Sequence, residues 1–391
     1  MSLPPAVLGG PKAFPDGLPL VRPFLPDTPA LADRLRTILD SGRLTNGPTV
    51  AELEERVAAE TGAAHVVGVS SCTSGLMLVL QALGATGRVV MPSFTFAASA
   101  HAVVWAGGSP DFAEVEPTTC TLDPVDAAGL VDGASAMTAT HVYGTPCDVE
   151  RLQVLADGAG IPLVYDAAHA LGSKRGGIPV GRFGMAEVFS LSPTKVVVGG
   201  EGGLVATGDA GLAEACRLGR DYGNGGDYDC RFPGLNARMS ELHAAVALAS
   251  LEGLAERVVH RGELVRRFAS ETAGLPGLAP AAVGEGDTST YKDLTVIVDP
   301  SAFGLTALQL ARALRAEGVD SRRYYHPPIH LQKAYAGRWP QRRQLPVTEE
   351  LSRRVMTLPL WSHMTAQQVS AVAGAVTRIH AAGASVRQAL T

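Results

Sequence analysis

Paired cysteines are missing from this chain. The five it has, Cys72, Cys120, Cys147, Cys216 and Cys230, are odd in number and far apart, with no Cys-x-x-Cys pair. That pattern fits reduced thiols in a cytoplasmic protein better than a disulfide frame or a zinc site. No apolar run reaches bilayer-spanning length, and residues 1–22 lack the charged-then-apolar order of a signal peptide. A membrane partner is therefore not expected, and the protein reads as cytoplasmic. No charge of one sign dominates either: 33 Lys and Arg interleave with 38 Asp and Glu for a formal net charge of −5, which offers nucleic acid no basic face. What is present is a compact globular composition, 46% hydrophobic and 18% charged. At 391 residues the chain exceeds the roughly 250–300 at which single cores stop growing, so two domains are expected.

Residues 1–28 are proline-rich and aperiodic and read as an extended arm. Helices are expected over residues 30–41 and 50–61, the second with Glu52, Glu54 and Glu55 in its first turns, where the helix dipole favours them. An alternation then begins: strand 65–69, helix 73–83, strand 88–91, helix 96–106, strand 110–115, strand 136–143, helix 148–158, strand 162–167. Short apolar strands separated by helices predict an α/β fold with a mostly parallel sheet covered on both faces. Ligands of such sheets bind at the carboxyl ends of the strands. A long helix over 240–273, stopped by Gly274 and Pro276, carries the chain out of this unit. Strand 293–298 and helices 307–317 and 365–382 suggest a smaller α+β unit. The expected domains are 29–250 and 251–391, and residues 324–335 are too proline-rich for a helix.

The stretch with most chemistry is Val188-Phe189-Ser190-Leu191-Ser192-Pro193-Thr194-Lys195, followed by Val196 to Val198 and the glycine-rich 199–203. An amine in apolar surroundings has a lowered pKa, and a neutral amine attacks a carbonyl to form a Schiff base. A lysine snorkelling from a strand end is the alternative. Ser190 could hold an anion. Thr73 and Ser74 join a strand to a helix, where hydroxyls and free N–H groups favour a phosphate or simply cap the helix. Asp166 ends a buried strand and needs a partner, either a protonated pyridine nitrogen or the N–H groups of a following helix. Phe96 could cover a flat ligand or belong to the core. Asn236 and Arg238 could reach an anion or cap a helix at the surface. No Gly-x-Gly-x-x-Gly follows the first strand, which weakens a nicotinamide-dehydrogenase reading.

Gly42-Arg43-Leu44-Thr45-Asn46-Gly47-Pro48, Pro92-Ser93-Phe94-Thr95-Phe96, His141-Val142-Tyr143-Gly144, Asp166-Ala167-Ala168-His169 and Leu358-Pro359-Leu360 occur in this order along nearly the whole chain. In order and spacing the sequence resembles the DegT/DnrJ/StrS-type sugar aminotransferases, pyridoxal 5'-phosphate enzymes of the aspartate-aminotransferase fold, fold type I. The resemblance implies a homodimer with active sites at the subunit interface. It also implies transfer of an amino group from glutamate or glutamine to a keto sugar on a nucleoside diphosphate. It makes Lys195 the Schiff-base lysine, Asp166 the partner of the ring nitrogen and His169 a neighbour of the ring hydroxyl. Thr73, Ser74 and Ser190 would bind the phosphate, Phe96 would stack on the ring, and Asn236 would reach the other subunit's phosphate. Dehydrating relatives carry histidine in place of the lysine, and Lys195 argues against that branch. Two positions depart from the family: Cys72 stands for a glycine in the phosphate loop, and Tyr222 for a histidine near the neighbouring site. His330 is a candidate substrate contact. Arg322 and Arg323 could meet a diphosphate or merely be solvated. His326 and His330 are not spaced as a helical metal pair, and no metal is expected. A cyclitol or other keto acceptor, or a cofactor-binding protein without turnover, are the alternatives.

Overall fold

The computed structural model describes residues 3–26, 28–339 and 343–390. Its strands are β1 (His65–Val69), β2 (Arg88–Pro92), β3 (Ser109–Ala113), β4 (Ala136–Thr140), β5 (Leu163–Asp166), the short hairpin β6 (Lys174–Arg175) and β7 (Ile178–Pro179), β8 (Ala186–Ser190), β9 (Gly203–Thr207), β10 (Leu278–Pro280), β11 (Leu294–Val298) and β12 (Val355–Leu358). Seven form one sheet in the order β1-β9-β8-β5-β4-β2-β3. Only β9 runs against the other six. Side chains of a strand alternate between faces. Val67, Val188 and Val205 accordingly enter one core with Leu76 and Val79. Their neighbours Val66, Phe189 and Leu204 enter another with Leu53, Val57 and Leu248. Burial on both faces is why these strands read as continuous apolar runs. The carboxyl ends of β2, β4, β5 and β8 open on one edge.

A separate core, including Phe268, Val296, Leu310, Trp361 and Val376, lies around the three-stranded sheet β10-β11-β12. The N-terminal segment does not run free. The Glu317 carboxylate accepts the N–H groups of Ala6 and Ala13, each at 2.9 Å, and Leu18 pairs with Val319. Of the expected arm, Met1, Ser2 and Asp27 lie outside the described residues, as do 340–342 and 391 of the C-terminal part.

Several boundaries differ from those read in the sequence. The helices expected from 30 and 50 are Pro29–Ser41 and Pro48–Thr61, each beginning on a proline whose missing N–H costs nothing at a first helical position. The strand expected over 136–143 stops at Thr140, because Tyr143 turns into the left-handed region at φ 57° within the turn Val142–Gly144. The long helix expected over 240–273 is two helices, Glu241–Leu251 and Leu254–Thr272. Glu252 is extended and Gly253 left-handed at φ 67°, a conformation glycine adopts without a Cβ clash.

Candidate active site

Lys195, Asp166, His169, Thr73, Ser190 and Phe96 line one cavity of about 250 Å³ at the carboxyl edge of the large sheet. A roomier apolar groove of about 790 Å³, between β10 and the helix Pro346–Arg354, contains none of them. Chemistry, rather than size, therefore marks the site.

Lys195 follows β8 in a loop, its backbone N–H donating to the Ser192 carbonyl at 3.0 Å, with Val196, Val197 and Val198 buried behind it. Burial, and then the nearby Lys292 ammonium, push its pKa down to about 8 against the opposing pull of Cys72, Asp166 and Asp293. The neutral amine therefore becomes abundant near pH 8, well below the pH at which an ordinary lysine loses its proton.

Asp166 ends β5 and is 4% exposed. Its Oδ2 accepts the Ser99 hydroxyl at 2.6 Å and its Oδ1 the Ala168 N–H at 3.0 Å. Residues 168–172 form turns, so the N-cap alternative has no helix to cap. His169 is buried, and its Nδ1 accepts the Tyr143 N–H at 3.1 Å. The turn at Tyr143 that ends the strand early thus supplies this bond. Burial, with Lys195 and Lys292 nearby, holds the His169 pKa well below its usual value. With Nδ1 occupied as an acceptor, the neutral ring carries its proton on Nε2.

The anion-binding groups divide. Thr73 and Ser190 line the cavity beside the N-terminus of the helix Cys72–Ala82. Ser74 does not: its hydroxyl accepts the Ser71 N–H at 3.1 Å in a capping box, so local capping occupies it. Phe96 is 60% exposed and tilts toward Tyr325 with ring centroids 6.5 Å apart, which removes the core alternative. Asn236 is exposed, paired through its backbone with Asp221, and Tyr222 is exposed with the Arg238 guanidinium 5.3 Å over its ring. Neither lines the cavity of this chain. His330 does not line this cavity: it is 3% exposed, with Nδ1 2.6 Å from Ser93 Oγ and Nε2 3.5 Å from Glu349. Its imidazole is bonded within the fold, to Ser93 and toward Glu349. Among the described residues no cluster of three or more metal-ligating side chains occurs.

The sequence reading missed Tyr325, Thr95 and Thr140 on the cavity wall, and Ser99 behind it. Thr95 adjoins Phe96 in a motif that was singled out, but nothing in its type distinguishes it from core.

Residues 27–377 match the model of the DegT/DnrJ/EryC1/StrS aminotransferase family. The chain belongs to this family. A dTDP-3-amino-3,4,6-trideoxy-alpha-D-glucose transaminase of Streptomyces venezuelae is 35% identical to this DegT/DnrJ/EryC1/StrS member over 367 residues, 90% of the chain and 95% of the relative. A UDP-N-acetyl-3-dehydro-alpha-D-glucosamine 3-aminotransferase of Acidithiobacillus ferrooxidans is 32% identical, over 91% of the chain and 95% of the relative. The crystal structure of DesI in the presence of its TDP-sugar product superposes with a TM-score of 0.92 at 37% identity, covering 98% of each chain.

Pyridoxal phosphate, which the family implies, fits the donor set: a desolvated amine, an acceptor-only carboxylate facing the same cavity, and two hydroxyls at a helix N-terminus. Cys72 does not disturb this. It is the first residue of its helix, is not among the left-handed residues, and turns its thiol toward the Val188 carbonyl at 3.4 Å. The side chain still reaches the cavity wall, its Sγ 3.8 Å from Asp166 Oδ1.

Proposed function

We propose that this protein is a pyridoxal 5'-phosphate-dependent aminotransferase that moves an amino group from glutamate or glutamine to a nucleotide-linked keto sugar, in the biosynthesis of amino-deoxysugars such as those of antibiotics. We further propose a cytoplasmic homodimer with Asn236 and Tyr222, both exposed, facing the partner's site, and a division into domains 29–250 and 251–391. The observation that carries the reading is the meeting of a desolvated Lys195 and a buried Asp166 in one cavity of a chain from this family. The acceptor class follows the relatives, whose names specify dTDP- and UDP-linked sugars.

When bound, pyridoxal phosphate supplies an electron sink for negative charge developing at the substrate carbon. Lys195 is the group that holds it covalently. As a free amine Lys195 would take and return the proton on the substrate carbon, a role that its lowered pKa of about 8 suits. Asp166 would accept the ring N–H, its negative charge keeping that proton in place. His169 would offer its Nε2–H to the ring hydroxyl. Thr73, Ser190 and the helix N-terminus would hold the phosphate, and Phe96 would cover the ring.

The test is a panel of keto nucleotide sugars incubated with glutamate or glutamine and read by product mass. An amino sugar formed with consumption of the amino acid is expected. A yellow, cofactor-loaded protein whose absorption no amino donor alters would contradict the reading and favour binding without turnover.

A further inference from the structure

Asp166 is held by a file of hydroxyls that starts at Ser99, behind the cavity, and returns to its wall at Thr95 and Thr140. Ser99, on the helix Ala97–Trp105, donates to Asp166 Oδ2 at 2.6 Å. Its Oγ lies 3.0 Å from Thr95 Oγ1, which lies 3.0 Å from Thr140 Oγ1 at the end of β4. All three are buried. The bond directions follow from the terminus of the file. A carboxylate only accepts, so Ser99 commits its single proton to Asp166. Ser99 Oγ must then accept from Thr95, and Thr95 Oγ1 from Thr140. Three O–H dipoles point head to tail at one carboxylate oxygen, each polarising the next. The second oxygen is fixed by the Ala168 N–H at 3.0 Å, with the Cys72 thiol 3.8 Å away. Rotation of the carboxylate is thereby blocked at both oxygens, while Asp166 still faces the cavity. Ser99 does not line that cavity, so it acts only through Asp166.

We propose that Ser99 is a positioning residue of the aminotransferase reaction, and that Thr95 and Thr140 extend it into a one-way hydroxyl relay that fixes the Asp166 carboxylate for the ring nitrogen of pyridoxal phosphate. This rests on the function proposed above. The relay sets the plane in which Asp166 meets the ring N–H, because the partner of Oδ2 is a hydroxyl supplied by the fold.

The experiment uses the protein loaded with pyridoxal phosphate carrying ¹⁵N in its ring, whose resonance reports protonation of that nitrogen. In Ser99→Ala the resonance should move toward the unprotonated position, and kcat should fall roughly tenfold to a hundredfold with KM for the sugar little changed, the effect of losing one hydrogen bond to a charged group. Ser99→Thr, which keeps the hydroxyl, should restore both. Thr95→Val and Thr140→Val should move the resonance the same way by successively smaller steps, and they carry the test if Ser99→Ala fails to fold. A wild-type resonance and kcat in Ser99→Ala would overturn the relay. So would variants that lose thermal stability while the ring nitrogen stays unmoved. Failure of the unmodified chain to take up pyridoxal phosphate would instead overturn the functional reading together with the relay.

Discussion

Two amines share this part of the molecule, Lys292 buried and Lys195 half-buried, and their surroundings separate them. Lys292 is paired with Asp293 at 2.9 Å and lies 5.7 Å over the Tyr324 ring. Lys195 forms no ion pair among the described residues and lines the cavity. The Lys292 charge, which lowers the Lys195 pKa, is itself held in place by that pairing. The sign of the pH dependence follows. Below about 8 Lys195 is protonated and unreactive, and above it the free amine can attack. Capture of pyridoxal phosphate by cofactor-free protein should therefore accelerate as pH rises through about 8 and then level off, as stopped-flow absorbance would record. In Lys292→Met, which removes a neighbouring positive charge and leaves Asp293 negative, the midpoint should move upward. A midpoint that stays put would show that burial alone sets it. Lys195→Ala should keep the fold and abolish transfer. Asp166→Asn, which cannot keep the ring nitrogen charged, should bind the cofactor and turn over severely slowed; near-normal single-turnover rates would show that another group controls the ring nitrogen. Lys195 and Asp166 were legible because a lysine amid valines and an aspartate closing a buried strand are both costly without a purpose. Ser99 was not: a serine in an alanine-rich helix reads as packing until the fold brings Asp166 against it.

Two helices begin without a capping side chain of their own and are completed by glutamates from distant parts of the chain. Pro48–Thr61 starts after Gly47, and the buried Glu241 carboxylate accepts the N–H groups of Gly47, Thr49 and Val50 at 2.8–2.9 Å. Pro346–Arg354 starts after Leu345, and Glu114, just beyond β3, accepts from Val347 at 3.0 Å and Thr348 at 2.7 Å. Removing a buried acceptor leaves N–H groups unpaired, so Glu114→Ala should cost about 2 kcal/mol of stability, read as a lower urea midpoint. An unchanged midpoint would mean that water satisfies those donors. Gly253→Ala, at a left-handed position, should cost on the order of 1 kcal/mol in the same assay. Neither device is visible locally. The alternation of strands and helices could be read because each element carries its own hydrophobic period, whereas remote caps involve partners about 200 residues apart. The break at Gly253 was hidden for a related reason: helical patterning continues on both sides of it.

The molecule places its chemistry on one edge of the large sheet because six of seven strands agree in direction. Loops following β2, β4, β5 and β8 deliver Phe96, Tyr143, His169 and Lys195 to the same place. Tyr325, from the segment between β11 and β12, closes the cavity and packs edge-on against Phe94 at 5.7 Å. Topology of this kind was foreseeable from the alternation, but the identity of the closing residue was not, since it depends on how a distant loop returns. Cysteine burial offers a check on the whole arrangement. Cys230 is exposed, while Cys72, Cys120, Cys147 and Cys216 are buried, and burial raises the thiol pKa of Cys72, Cys120 and Cys216. Titration of the native protein with an aromatic disulfide should find a single fast thiol, mapped to Cys230.

The most direct measurement is borohydride reduction of the pyridoxal-phosphate-loaded protein, followed by peptide mapping by mass spectrometry. A phosphopyridoxyl mass on the peptide containing Lys195, and on no other, is the predicted result. The same mass on Lys292 or another lysine, or no covalent adduct at all, would contradict it.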